Sequence, residues 1–253
     1  MIYIRRIPLP GPLALQLAAL TAILHGHGAD ARQHARTLWN RSREPRRGLR
    51  DALNLMAPGY QRCMYCGDSE GTSVDHFEPI ARNPLRTFDW LNHLLACSFC
   101  NSNQKGSRFP VDEAGRPLLI DPSVEDPFEH MALSLAVGEY RATTPKGTAT
   151  IDVLRLNRAV LVSGRVHARY VVGQALRLWR AGQKVSDGRE QARQLATIRM
   201  QPLADVHQAM LRYAVADAAA QLFSAEPDLL DILRDPELRS SLEMPKSRNL
   251  PGA

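Results

Sequence analysis

Cys63-Met64-Tyr65-Cys66 and Cys97-Ser98-Phe99-Cys100 contain all four cysteines of the chain, and residues 67–96 lie between them. Two C-x-x-C pairs with no thiol left over read as one tetrahedral Cys₄ site for a structural Zn²⁺, formed in a reducing compartment. The competing reading is a secreted protein stapled by disulfides. The spacer is 30 residues long. That exceeds what a compact zinc ribbon needs, so a further element is built inside it.

The spacer carries Val74-Asp75-His76-Phe77 and then Trp90-Leu91-Asn92, and the second cysteine pair runs on as Cys100-Asn101-Ser102-Asn103-Gln104-Lys105-Gly106. Hydrolysing a phosphodiester needs a base for the attacking water, a divalent cation for the charge that develops on phosphorus, and a positive group near the phosphate. His76 is of the type to serve as base. Asp75 offers a hard carboxylate oxygen and Asn101 a neutral carbonyl oxygen, which suits Mg²⁺ or Mn²⁺. Two neighbours compete. His93 adjoins Asn92 and reads as a loop residue. Asn103, two positions further along a helix than Asn101, would point about 200° away from it, so the two cannot face one ion.

These residues resemble the HNH, or His-Me finger, nuclease family, whose pattern is a D-H pair on a β-hairpin, a central Asn in the following loop, and a His or Asn opening a helix. The resemblance implies His76 as general base, Asp75 and Asn101 as holders of the catalytic metal, Asn92 as brace of the loop that orients His76, and Lys105 as a phosphate contact. Asn101 stands where many relatives have His. A narrower set of motifs, C-x-Y-C-G, D-H-F-x-P and D-W-x-N followed by L-L-x-C-x-x-C-N-x-x-x-K-G, is similar to the retron-associated and Septu-type HNH proteins of bacterial antiphage defence. His93 makes the loop one residue longer than the strictest form of that pattern. This likeness implies a nucleic-acid substrate, DNA above all, an ABC-type ATPase partner, and a cytoplasmic location in a bacterium. The alternative is a non-catalytic zinc module that binds nucleic acid or a partner protein.

Outward from this centre the chain reads as helical. Leu13, Leu17, Leu20 and Leu24 repeat at helical spacing. Arg5-Arg6 before this stretch and Ala29-Asp30-Ala31 after it imitate a secretory signal. Pro8, Pro10 and Pro12, the interrupting Gln16, and a length about half that of a membrane span favour an amphipathic helix. Helical pattern continues to Met56, with a break around His25-Gly26-His27-Gly28 and a basic run from Arg41 to Arg50. Past the centre, Leu133 to Leu156 reads as a hairpin, with Thr148, Thr150 and Ile151 on its second strand. Helical spacing then returns over Arg158–Trp179, Arg189–Met200 and Ala204–Phe223, and the tail from Met244 to Ala253 reads as frayed. The expected fold class is α+β: a zinc-bearing ββα-metal module at 58–130 between a helical segment at 1–57 and a hairpin plus helical region at 131–253.

Composition sets the outer bounds. Hydrophobic residues at 44% and charged residues at 23% are ordinary for a folded domain and exclude a disordered chain. A formal charge of +6 and pI near 9.4 would draw a polyanion, and are compatible with a nucleic-acid substrate. No segment has the length or apolarity of a membrane span, so no membrane partner is expected.

Overall fold

The computed structural model describes residues 1–26 and 31–242. The expected break at His27-Gly28 and the tail from Met244 fall outside them. Helices α1 (Gly11–His25), α2 (Ala31–Arg41) and α3 (Arg43–Met56) precede strand β1 (Ser73–His76), strand β2 (His93–Ala96) and a short helix, Phe99–Lys105. Strands β3 (Met131–Leu133) and β4 (Tyr140–Ala142) follow. Seven helices then complete the described residues: α4 (Pro145–Leu154), α5 (Ala159–Lys184), α6 (Gly188–Met200), α7 (Asp205–Tyr213), α8 (Ala219–Leu222), α9 (Pro227–Leu233) and α10 (Pro236–Leu242). The fold is thus mixed, with mainly helical ends and two small antiparallel sheets.

Two hydrophobic cores organise these elements. The smaller gathers Leu13, Leu17 and Leu24 of α1, Ala35 and Trp39 of α2, and Leu49 of α3 around Phe88, a residue of the β1–β2 connection. That one aromatic ties the connecting loop to the N-terminal helices. The larger core runs from Ile2 and Ile4 through Leu94 and Leu95 of β2 to Leu176 and Trp179 of α5 and Leu238 of α10. Along α5, Leu161, Arg165, Ala168, Val172, Leu176 and Trp179 recur every three or four residues and form its buried stripe. The Arg165 guanidinium in that stripe donates to Asp205 at 3.0 Å, and Asp205 also accepts from the Tyr140 hydroxyl at 2.7 Å. A buried charge is tolerated only when paired and hydrogen-bonded in this way.

Three expectations are corrected. The second strand of the hairpin is Tyr140–Ala142, paired Met131↔Ala142 to Leu133↔Tyr140. Thr148, Thr150 and Ile151 lie instead on α4, which Thr144 caps by accepting from the Gly147 amide, with Pro145 at its start. Thr-Pro was a helix-start signal. His93 is no loop residue, since it opens β2 directly opposite His76. The run Ala204–Phe223 divides into α7 and α8, because Arg234 donates to the Ala214 carbonyl at 2.9 Å, the acceptor that an unbroken helix would use for residue 218.

Gly147 marks where α4 presses on the β3–β4 sheet. A Cβ there would lie 1.9 Å from the His130 carbonyl oxygen, whereas one at Gly188 would meet nothing within 4 Å. Gly147→Ala is therefore expected to destabilise the fold by at least about 2 kcal/mol, lowering the thermal midpoint by roughly 4 °C or more. Gly188→Ala should leave the midpoint unchanged or raise it slightly; both shifts are read by calorimetry.

Candidate functional site

The four cysteines come together as the sequence requires. Cys63, Cys66, Cys97 and Cys100 are buried, and their sulfurs all lie within 4.8 Å of one another. None is in a disulfide. Hydrogen bonds from the thiols of Cys100, Cys63 and Cys97 hold the Cys66 thiol far below its ordinary range, which favours the thiolate that a soft metal binds. A buried set of four thiols in mutual contact, with no other side chain among the potential ligands, can hold a zinc ion. The backbone closes the cluster through two bonds: the Gly67 amide donates to the Cys63 carbonyl at 2.8 Å and the Met64 amide to the Leu95 carbonyl at 2.8 Å.

Each cysteine pair carries a residue of the neighbouring site. Tyr65 lies inside the first pair, and its hydroxyl donates to Asp75 Oδ2 at 2.6 Å. Asn101 directly follows the second pair, and its Nδ2 donates to Ser73 Oγ at 3.0 Å. The Ser73 hydroxyl in turn donates to the Ala96 carbonyl at 2.9 Å. Asn101 is half-buried, whereas Asn103 is exposed, so Asn101 is the one that faces β1.

The antiparallel register sets Ser73 opposite Ala96, Asp75 opposite Leu94, and His76 opposite His93. Residues directly opposite share a face, and successive residues alternate. His76 and His93 thus go one way, Asp75 the other. Asp75 is 3% exposed, and the Lys105 ammonium stands 3.1 Å from its carboxylate. Burial pushes the Asp75 carboxyl up, opposed by Lys105 and by the Tyr65 hydrogen bond. Lys105, expected from sequence at a phosphate, is itself buried and also donates to the His76 carbonyl at 2.7 Å. In this arrangement its ammonium serves Asp75.

His76 Nε2 lies 3.0 Å from the Thr87 carbonyl. A carbonyl only accepts, so Nε2 carries the proton and Nδ1 keeps its lone pair. His93 Nε2 lies 3.0 Å from the same oxygen, which fixes its tautomer too. The loop that carries the Thr87 carbonyl is in turn held by Asn92, which is fully buried. Asn92 Oδ1 accepts from the Glu78 amide at 2.8 Å, and its Nδ2 donates to the Glu78 and Arg86 carbonyls at 3.0 Å each. One amide thereby clamps both ends of the loop between Phe77 and Thr87.

From outside the cysteine-bounded stretch, Trp39 of α2 closes the imidazole side. Its ring stands edge-on to His76 with centroids 4.4 Å apart and stacks on His93 at 5.4 Å and 13°. Arg46 of α3 lies over the Trp39 ring at 5.2 Å. Burial, then Lys105 and Arg46, push the His76 imidazole down to about 4, so it is neutral at physiological pH. An open cleft of about 270 Å³ is lined by His76, Asp75, Asn101, Trp39 and Arg36 among others.

The geometry thus brings together His76, Asp75, Asn92, Asn101 and Lys105, all nominated from sequence. Tyr65, Thr87, Trp39 and Arg36 were missed. Thr87 acts through its backbone and leaves no side-chain signal, while Trp39 and Arg36 arrive from a helix that is distant in sequence. Tyr65 could have been found, because its place between two cysteines fixes it beside the hairpin.

No protein-family model matches the chain. It is similar at 36% identity over 61 residues to protein ea31 of Escherichia phage lambda, a match covering 24% of this chain and 21% of that protein. It is also similar at 24% identity over 147 residues to Septu protein PtuB of Bacillus mycoides (strain KBAB4), covering 46% of this chain and 49% of that protein. The matched segments thus span about a fifth and about half the length of those relatives. No helix of the described residues is long and apolar enough to cross a membrane.

Two outcomes follow. In an NMR titration the His76 imidazole should protonate near pH 4 rather than near 6.5. Its folded pKa is the lower, so this group's contribution to stability is complete above the unfolded value and is lost as pH falls toward 4. Separately, mass spectrometry under native conditions should find about one zinc ion per chain. Cys100→Ser or a strong chelator should remove it and lower the thermal midpoint.

Proposed function

We propose that the chain is a metal-dependent HNH endonuclease that hydrolyses phosphodiester bonds of nucleic acid, with DNA as the preferred substrate. The observation that carries this reading is the single-acceptor arrangement at His76: Nε2 bound to the Thr87 carbonyl, the loop behind it clamped by Asn92, and the ring neutral. A general base needs this state, with a free lone pair on Nδ1 and a fixed ring plane. His93 shares this state but is fully buried, whereas His76 lines the cleft where a substrate can meet it.

In this reading His76 Nδ1 takes the proton of the attacking water. Asp75 and Asn101 would hold Mg²⁺ or Mn²⁺, which supplies charge stabilisation at the phosphate. The donors fit, because Asn101 donates to Ser73 through Nδ2 and so keeps Oδ1 for a cation. Each Asp75 oxygen retains a lone pair beyond its bond to Tyr65 or Lys105. Lys105 and Tyr65 fix the carboxylate in place, and the zinc-bearing cysteine cluster holds Tyr65 and Asn101 against β1. The phosphodiester would be left as a 5′-phosphate and a 3′-hydroxyl.

Similarity to Septu protein PtuB supports a place in antiphage defence; the ABC-type ATPase partner and the bacterial cytoplasm are what the resemblance of the motifs implies. The test is cleavage of plasmid DNA with Mg²⁺ or Mn²⁺, by the chain alone and with the product of the neighbouring gene. His76→Ala should reduce cutting by at least about a hundredfold while leaving zinc content unchanged. Equal cutting by the variant overturns the assignment of the base. No cutting by the wild type under any condition supports a zinc module that binds without catalysis.

A further inference from the structure

The Lys105 ammonium is buried against Asp75, so the positive charge that a phosphate needs at the cleft must come from elsewhere. Arg36 of α2 lines the same cleft as His76, Asp75 and Asn101. It is exposed, and among the described residues it makes no ion pair. Trp39, three residues on and so on the same face of α2, touches His76. Arg36 is therefore rooted beside the candidate base by a contact that is itself buried in the smaller core.

The charge around it is distributed unlike that of the long helix α5. Seven arginines lie between Ala31 and Met56, and none forms an ion pair among the described residues. On α5 every arginine is paired: Arg165 meets Asp205 at 3.0 Å, Arg169 and Arg177 meet Glu226, Arg177 also meets Asp228 at 2.6 Å, and Arg180 meets Asp235 at 3.1 Å. Uncompensated like charges repel and cost stability, a cost that a polyanion relieves. Of the two helices bearing them, α2 walls the cleft through Arg36 and Trp39, and α3 adjoins it through Arg46 over the Trp39 ring.

We infer that α2 and α3 form the phosphate-backbone contact surface of the enzyme, with Arg36 as the residue that meets the phosphate at the cleft. This assignment rests on the nuclease reading for its choice of polyanion. It predicts that affinity for nucleic acid comes from outside the cysteine-bounded segment.

The test uses the full chain carrying His76→Ala, so that bound substrate persists, and a fluorescent DNA duplex with an RNA duplex of the same sequence as second probe. Affinity is measured against salt concentration. Adding Arg36→Ala should weaken binding about tenfold at low salt and reduce the slope of log K against log salt by about one. Arg36→Lys should keep the slope, since it keeps the charge. Arg189→Ala, an exposed arginine on α6, should change neither quantity. A slope that depends on Arg36 with either probe supports the inference; an unchanged slope with both, or no binding to either, overturns it. The two readings fail separately. Cleavage that requires His76 with a slope indifferent to Arg36 sinks only this inference, and Arg36-dependent binding without cleavage sinks only the nuclease.

Discussion

Four sulfurs held within 4.8 Å of one another are the constraint on which the candidate site depends. They draw two segments 30 residues apart in sequence onto the same pair of strands, and each segment delivers one polar side chain. Tyr65 reaches Asp75, and Asn101 reaches Ser73 two residues earlier on β1. Neither side chain has to find its place by its own packing, since the cluster has already limited where it can be. The hairpin β1–β2 has four residues per strand, too short to be stable unaided. The cluster and the larger core supply what pairing alone does not.

Against that rigid side stands a second one made of ordinary aromatic packing. The loop that holds the Thr87 carbonyl is anchored by Phe88 in the core of the N-terminal helices and by the three hydrogen bonds of Asn92. His76 is placed between the two sides, and its neutrality follows from that position. The positive charges nearest to it, Lys105 and Arg46, add to burial in disfavouring its protonation. The same Lys105 opposes the rise that burial imposes on Asp75. One ammonium thus helps keep the carboxylate charged and the imidazole uncharged.

The parts of this arrangement that could be read from the sequence are those that depend on residue type and spacing. The cysteine pairs, the Asp75-His76 step and the helical repeats of α1 and α5 belong there, because each leaves a periodic or pairwise signature. The direction of Lys105 could not be read, since it depends on how the Phe99–Lys105 segment winds. Trp39 could not be tied to His76, because the contact spans 37 positions and joins a helix to a strand with no shared sequence pattern. The hairpin after Leu133 was misplaced for a different reason. Thr144-Pro145 starts a helix, but the Gly147 that follows reads in isolation as a turn.

The winding of Phe99–Lys105 has a further meaning. The Gly106 amide bonds the Asn101 carbonyl at 2.6 Å, five residues back, where an α-helix would count four. The hydrogen-bonded loop there therefore encloses one more residue than in the common helix. That surplus lets Cys100 stay on the sulfur cluster while Lys105 comes round to the carboxylate. Number of residues, and not only their kind, is a heritable property of this site: it is a ruler with one extra mark. Drift in the lineage can exchange the exposed Ser102 and Asn103 with little consequence, but the loss of any one codon between Cys100 and Lys105 would put the two ends out of phase.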